Sequence, residues 1–168
     1  MKKLLFILIA SVISFSAMAQ LNVQSSSTKD DIIEKNARAV IKLTKNGYVV
    51  SVDDWLNNTN SRLELFLGET KEAAVLTIND ILQWHENAKN KDNITVKDAI
   101  TEQDLTLYRC NGTVIMLSTG DAEYIRKGIN ANANSAMLGI PKKKTHSNSP
   151  VCGQIMISLL RKAVEKLK

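Results

Sequence analysis

The sequence predicts a mainly α-helical single domain, a small helical bundle with one short β-hairpin and one disulfide. Three observations carry that expectation. Thr28-x-x-Asp31 and Thr101-Glu102-Gln103-Asp104 have the form of capping boxes, in which a hydroxyl and an acid satisfy N–H groups at a helix start. Three stretches share the order apolar, Ser/Thr, apolar, any residue, Asp, apolar: Val50 to Leu56, Leu76 to Leu82 and Ile94 to Ile100. Each reads as a helix start, with the hydroxyl as cap and the acid in the positive first turn. Finally, Ser149-Pro150 opens a C-terminal segment with an apolar stripe. The alternative is an α+β fold, with an antiparallel sheet built on turns at Asn46-Gly47 and Asn111-Gly112.

At the N-terminus, Met1-Lys2-Lys3, an apolar run from Leu4 to Val12 and Ala17-Met18-Ala19 make a secretory signal peptide over residues 1–19, cleaved after Ala19. The apolar run is shorter than the roughly 20 residues that a membrane span needs, and stable membrane insertion is not expected. The expected address is therefore the periplasm or the outside. Removing 19 residues from 168 leaves 149, enough for one domain with an ordinary core. The signal carries two lysines and no acid, so the net charge falls from +5 to +3. So mild a charge does not argue for nucleic acid as a partner. Residues 20–27 are polar and serine-rich and read as a flexible mature N-terminus; 28–168 read as a single globular domain.

Within that domain, Ile33, Ala37, Val40 or Ile41 and Thr44 fall at helical spacing, and Gly47 stands where a C-terminal cap belongs. A helix over 29–45 fits. Its rival is a hairpin, because Val40–Thr44 and Tyr48–Val52 flank Asn46-Gly47. Asn57 to Ser61 is a loop by composition. Leu63, Phe66 and Leu67 suit a helical turn, whereas Leu63, Leu65 and Leu67 suit one face of a strand. Ile78, Ile81, Leu82 and His85 share a helical face, which predicts a helix over 78–89. Between 105 and 119 the residues leave helix and hairpin open: apolar positions recur at three and four, but β-branched residues surround Asn111-Gly112. A helix over 121–127 stops at Gly128. Residues 130–148 read as a long loop, and a helix follows from Pro150, with Cys152, Met156, Leu159 or Leu160, Ala163 and Leu167 inward.

Chemistry-bearing patterns are few. Two cysteines in an oxidising compartment predict a bridge, Cys110–Cys152. It would close a loop of about 40 residues and contribute about 4 kcal/mol by chain entropy. His85 has no partner at metal spacing and reads as structural; His146 sits in no recognisable motif. Asp53-Asp54 and Asp30-Asp31 suit helix starts. There is no phosphate loop, no metal-ligand spacing and no nucleophile elbow. The expectation is a protein that is not an enzyme, holds no cofactor and no metal, and binds a partner. Lys142-Lys143-Lys144 is the candidate contact for an acidic partner surface or anionic envelope polymer.

The segments Ile81-Leu82-Gln83-Trp84, Cys110-Asn111-Gly112, Gly120-Asp121-Ala122 and Cys152-Gly153-Gln154-Ile155-Met156 add a further expectation. In its second half only, the chain resembles the small periplasmic immunity proteins that protect bacteria from type VI secreted cell-wall amidases. The resemblance implies an exported helical domain, and so places Cys110 on a helix between Leu105 and Thr119. It also implies a protein partner, a secreted toxin enzyme that the chain blocks. A general envelope structural or adaptor role is the alternative function, and a homodimer is compatible with either.

Overall fold

The computed structural model describes residues 31–137 and 149–168. Its described residues form an α+β architecture rather than a helical bundle. Four strands come first: β1 (Asp31–Lys35), β2 (Ala39–Thr44), β3 (Gly47–Asp53) and β4 (Arg62–Gly68). They form an antiparallel meander in the order β1-β2-β3-β4. Helix α1 (Lys71–Asn87) leads to β5 (Asn93–Lys97), β6 (Asp104–Arg109) and β7 (Val114–Ser118). After α2 (Ala122–Met137), β8 (Cys152–Met156) completes a second antiparallel sheet in the order β5-β6-β7-β8, and α3 (Ile157–Leu167) follows. No described helix is long and apolar enough to cross a membrane.

In place of the expected helix over 29–45, the described residues from Asp31 to Thr44 form a strand pair. Thr28 lies outside the described residues, and Asp31 opens β1 rather than a helix. Alternation wins over three-four spacing because partner strands bury it. Ala39 pairs with Val52 and Val52 with Leu63; Ile41 pairs with Val50 and Val50 with Leu65. These two rows all point inward, and each of the six residues is at most 7% exposed. Such cross-strand packing is non-local, so local capping signals do not report it. The turn at Gly47 is the hairpin of the alternative reading. Thr44 Oγ1 donates to Gly47 O at 2.9 Å, and the Asn46 N–H donates to Thr44 Oγ1 at 3.2 Å. Leu63, Leu65 and Leu67 form one strand face, as the alternating reading had it.

None of the three expected helix starts begins a helix. Val50–Leu56 is the end of β3 and its following turn; Ile94–Ile100 is β5 and a turn. There Asp98 accepts from the N–H groups of Ile100 (2.8 Å) and Thr101 (3.0 Å), so the Asp closes a strand-to-strand turn. Leu76–Leu82 lies inside α1, whose cap is Thr70, accepting from the Ala73 N–H at 3.2 Å. Ile78, Ile81 and His85 are buried on its inner face, as the spacing predicted. The Thr101 box is likewise a turn, and Leu105–Thr119 is a hairpin with Asn111 at its bend. Asn111 Oδ1 accepts from the Thr113 and Val114 N–H groups at 2.8 and 3.1 Å.

Gly128 does not stop a helix, because α2 runs through it to Met137 and shortens the expected loop. A Cβ there would sit 2.6 Å from Leu56 Cδ1, so the glycine marks close packing against the loop after β3. The expected C-terminal helix starts at Ile157, seven residues after Pro150, since Cys152–Met156 is recruited by β7. Ile157, Leu159, Leu160, Ala163, Val164 and Leu167 form its buried stripe. Helix α3 packs on α1, β1 and β8, and β8 also packs on β2, β3 and β4. The main core lies between these elements. A second cluster, around Tyr108, Met116, Ile125 and Cys152, occupies the opposite face of the second sheet beneath α2.

The disulfide is absent: Cys110 and Cys152 are free thiols. Strand register explains why. Cys110 lies beside Val114, to whose carbonyl its N–H donates, and Cys152 lies opposite Ser118. They are four residues apart along β7, roughly 13 Å, with β7 itself between them. A bridge needs Cα atoms within about 7 Å. Burial pushes the thiols up to about 11 for Cys110 and about 12 for Cys152. At neutral pH a thiol reagent is therefore expected to label the folded protein slowly and to find both thiols at once in denaturant. Unfolding returns both groups to their ordinary value of 9.0, so the unfolded chain releases protons first as pH rises. Their contribution to stability is complete below pH 9.0 and is lost as pH climbs to about 11 and then about 12. Urea titrations across that alkaline range would show it; a midpoint that stays level would contradict it.

Candidate functional site

The loop between β3 and β4 is held from below by one carboxylate. Asp54 is 4% exposed. Its Oδ1 accepts from the Asn57 N–H (3.3 Å), Asn57 Nδ2 (3.2 Å) and the Cys152 N–H (3.2 Å). Its Oδ2 accepts from Thr59 Oγ1 at 2.7 Å and from Asn57 Nδ2 at 3.1 Å. Asn57 in turn donates to Pro150 O at 2.8 Å, and Tyr124 OH lies 2.9 Å from Asn57 Oδ1. Burial raises the Tyr124 hydroxyl above its ordinary range. Main-chain bonds finish the junction: the Trp55 N–H donates to Cys152 O at 2.8 Å, and the Asp54 N–H to Ser61 O at 3.0 Å. Asn58 takes a left-handed conformation (φ 54°), which asparagine tolerates better than most residues. Two sheets and α2 therefore hold this loop.

What the loop presents is an open cleft of about 930 Å³. Trp55 stands on one side, and the Arg38 guanidinium lies over its ring, 5.3 Å from the centroid. Such stacking is worth roughly 0.5–1 kcal/mol at an exposed site. Arg62 Nε meets Asp53 Oδ1 at 2.7 Å, and both side chains are more than half exposed. Asn58, Thr59, Asn60 and Ser61 supply amides and hydroxyls along the rim. A smaller groove of about 310 Å³ continues across the outer face of the first sheet. It shares Arg38, Asp53 and Arg62 with the cleft and adds Lys35 and Ser51. The adjacent acids Asp53 and Asp54 diverge because an extended chain points successive side chains to opposite faces. One is paired at the surface and the other is buried in the loop's support.

Other expected site residues lie elsewhere. Lys142, Lys143, Lys144 and His146 are outside the described residues. Cys110 and Cys152 belong to the second cluster under α2; neither lines the cleft, and Cys152 supports its loop through the main chain. His85 is 3% exposed and its Nε2 is 2.9 Å from Asn111 O, while Arg109 Nε donates to His85 O at 2.8 Å. It ties α1 to the β6–β7 hairpin, which is the structural role its lone position suggested. Among the described residues no group of three or more His, Cys, Asp or Glu could hold a metal ion.

The sequence reading missed the cleft because Arg38 and Arg62 are 24 positions apart and meet only through β2–β3–β4 pairing. One signal was available: a tryptophan two positions before a run of Asn, Thr and Ser marks an aromatic side chain beside a polar surface loop. No protein-family model matches the chain, and neither the curated proteins nor the solved structures compared with it gave a match.

Proposed function

We propose that the chain is an exported, non-catalytic binding protein, and that it engages a protein partner through the cleft at Arg38, Trp55 and Arg62. The observation that carries this reading is the Arg38–Trp55 stack at the mouth of an open cleft whose loop is pinned from below. Tryptophan and arginine dominate the energetics of protein–protein recognition, and a preorganised loop lowers the entropy cost of engagement. Export is supported by the basic, apolar and small-residue pattern of residues 1–19. A secreted cell-wall enzyme as the blocked partner is supported by the resemblance in the second half of the chain. The helical frame which that resemblance implied is replaced by strands: Cys110-Asn111-Gly112 leads from β6 into the β6–β7 turn, and Cys152–Met156 is β8.

The test is protection. The chain would be co-expressed in a bacterial periplasm with secreted cell-wall amidases, and the affinity of a purified pair measured by calorimetry. Survival of the host and a tight complex are expected. Trp55→Ala and Arg38→Ala are each expected to weaken the complex by about thirtyfold, the size of a central hot spot. Full affinity in both variants, with folding unchanged by circular dichroism, would remove the cleft from the interface.

A further inference from the structure

The smaller groove holds a polar atom that the fold leaves unused. Ser51 is 2% exposed, and its Oγ is buried without a hydrogen-bond partner. It is the central residue of its row, paired with Val40 on one side and Glu64 on the other, and it lies on the groove floor. A buried hydroxyl without a partner costs free energy, so its presence calls for an explanation. The charges above it are unbalanced as well. Lys35, Arg38 and Arg62 face the groove, against Asp53 as its acid. Arg62 meets Asp53 through Nε alone. Among the described residues, neither Lys35 nor Arg38 has an acidic partner. Glu64, in the next strand, is held by Lys42 at 2.9 Å. Asp54, in the adjoining cleft, has both oxygens occupied by Asn57, Thr59 and the Cys152 N–H.

We propose that this groove seats an acidic, extended segment of the partner protein, one of whose carboxylates lies on Arg38 and reaches the Ser51 hydroxyl. The inference rests on the cleft being the recognition surface and names what the partner must offer there. A guanidinium stacked on Trp55 is oriented by the ring, and its edge can take a carboxylate through two parallel N–H groups. Ser51 supplies a short O–H donor to the same group once the long side chains above the floor swing onto the ligand. Ile32 and Val40 line the groove between the charges and suit apolar residues interspersed with the acids. Separated cations with Asp53 between them fit the spaced carboxylates of a peptide better than the unbroken charge of a polyuronate or a nucleic acid.

The experiment uses the full chain and a fluorescein-labelled alternating Glu-Gly peptide, with its Gln-Gly counterpart and a polygalacturonate as comparisons, at low salt by polarisation. The Glu peptide is expected to bind about tenfold or more tightly than the Gln peptide, the ratio expected of charge-assisted pairing. Arg38→Ala should remove that preference, while Lys127→Ala, which alters an exposed cation on α2, should leave it. Ser51→Ala should weaken the Glu peptide severalfold without lowering the thermal midpoint, because it deletes a hydroxyl with no partner in the fold. Equal binding of the Glu and Gln peptides, or equal effects of Arg38→Ala and Lys127→Ala, would overturn the proposal. So would a lowered midpoint in Ser51→Ala, which would give the hydroxyl a structural role, or tighter binding of the polygalacturonate. If the peptide is not held but Trp55→Ala still weakens the partner complex, the carboxylate assignment fails and the cleft remains the interface.

Discussion

Asp54→Ala is expected to lower stability by about 3–5 kcal/mol, the loss associated with breaking a buried charged network from one side. The carboxylate accepts from the main chain at Asn57 and Cys152 and from the side chains of Asn57 and Thr59. Removing it leaves the main-chain N–H groups of Cys152 and Asn57 buried and unpaired, each with its full desolvation penalty. The second sheet is affected too, because Cys152 is the first residue of β8 and its carbonyl anchors Trp55 and Leu56. Asp54→Asn keeps one acceptor oxygen but turns an NH2 group toward donors, so it should recover part of the loss. Urea unfolding would measure both, read as a shift in midpoint at constant slope. A loss below about 1 kcal/mol in Asp54→Ala, the size of one ordinary net hydrogen bond, would show that the loop is held by its main chain alone. The same variant should loosen Trp55 and weaken any ligand of the cleft, which links this support to recognition.

Gly153→Ala is expected to cost about 3 kcal/mol, at the upper end of the usual range for overpacking. A Cβ at this position would lie 2.5 Å from Val52 Cγ2, 2.6 Å from Val52 Cβ and 2.7 Å from Asp53 O. Two of these neighbours cannot yield. Val52 is 0% exposed at the centre of an inward row, and the Asp53 carbonyl belongs to the main chain of β3. Relief requires the two sheets to separate, which opens space around Ile115, Leu117 and Ile155. Gly112→Ala is the matched control, since a Cβ there meets nothing within 4 Å. Thermal unfolding of the pair would separate a steric effect from a general cost of replacing glycine. Equal midpoints would mean that the sheets are less closely apposed than the contact with Val52 requires.

Much of the local chemistry was legible in the sequence, though often under the wrong heading. Asn46-Gly47 and Asn111-Gly112 mark real hairpin turns, and both belonged to the alternative α+β reading. Leu63, Leu65 and Leu67 do share a face, and the inward stripe of α3 contains Leu159, Leu160, Ala163 and Leu167. The helix signals misled because Ser, Thr and Asp serve turns as readily as caps. Asp98 closes the β5–β6 turn, and Asp54 braces a loop. At Pro150 the capping signal was overruled by strand pairing, since Val114, Ile115 and Met116 recruit Cys152–Met156 as a fourth strand. For the site, only the loop from Asn57 to Ser61 could be seen in advance.

The sequence by itself determined the two Asn-Gly turns, the shared face of Leu63, Leu65 and Leu67 and the apolar face of the last helix. Those depend on residue type and short spacing, which a chain carries wherever it folds. Only the tertiary structure decided that the cysteines stay apart, that Asp53 and Asp54 take opposite roles, and that Arg38 comes to rest on Trp55. Each of these follows from strand register, which joins residues far apart in the chain through main-chain hydrogen bonds common to every residue type but proline.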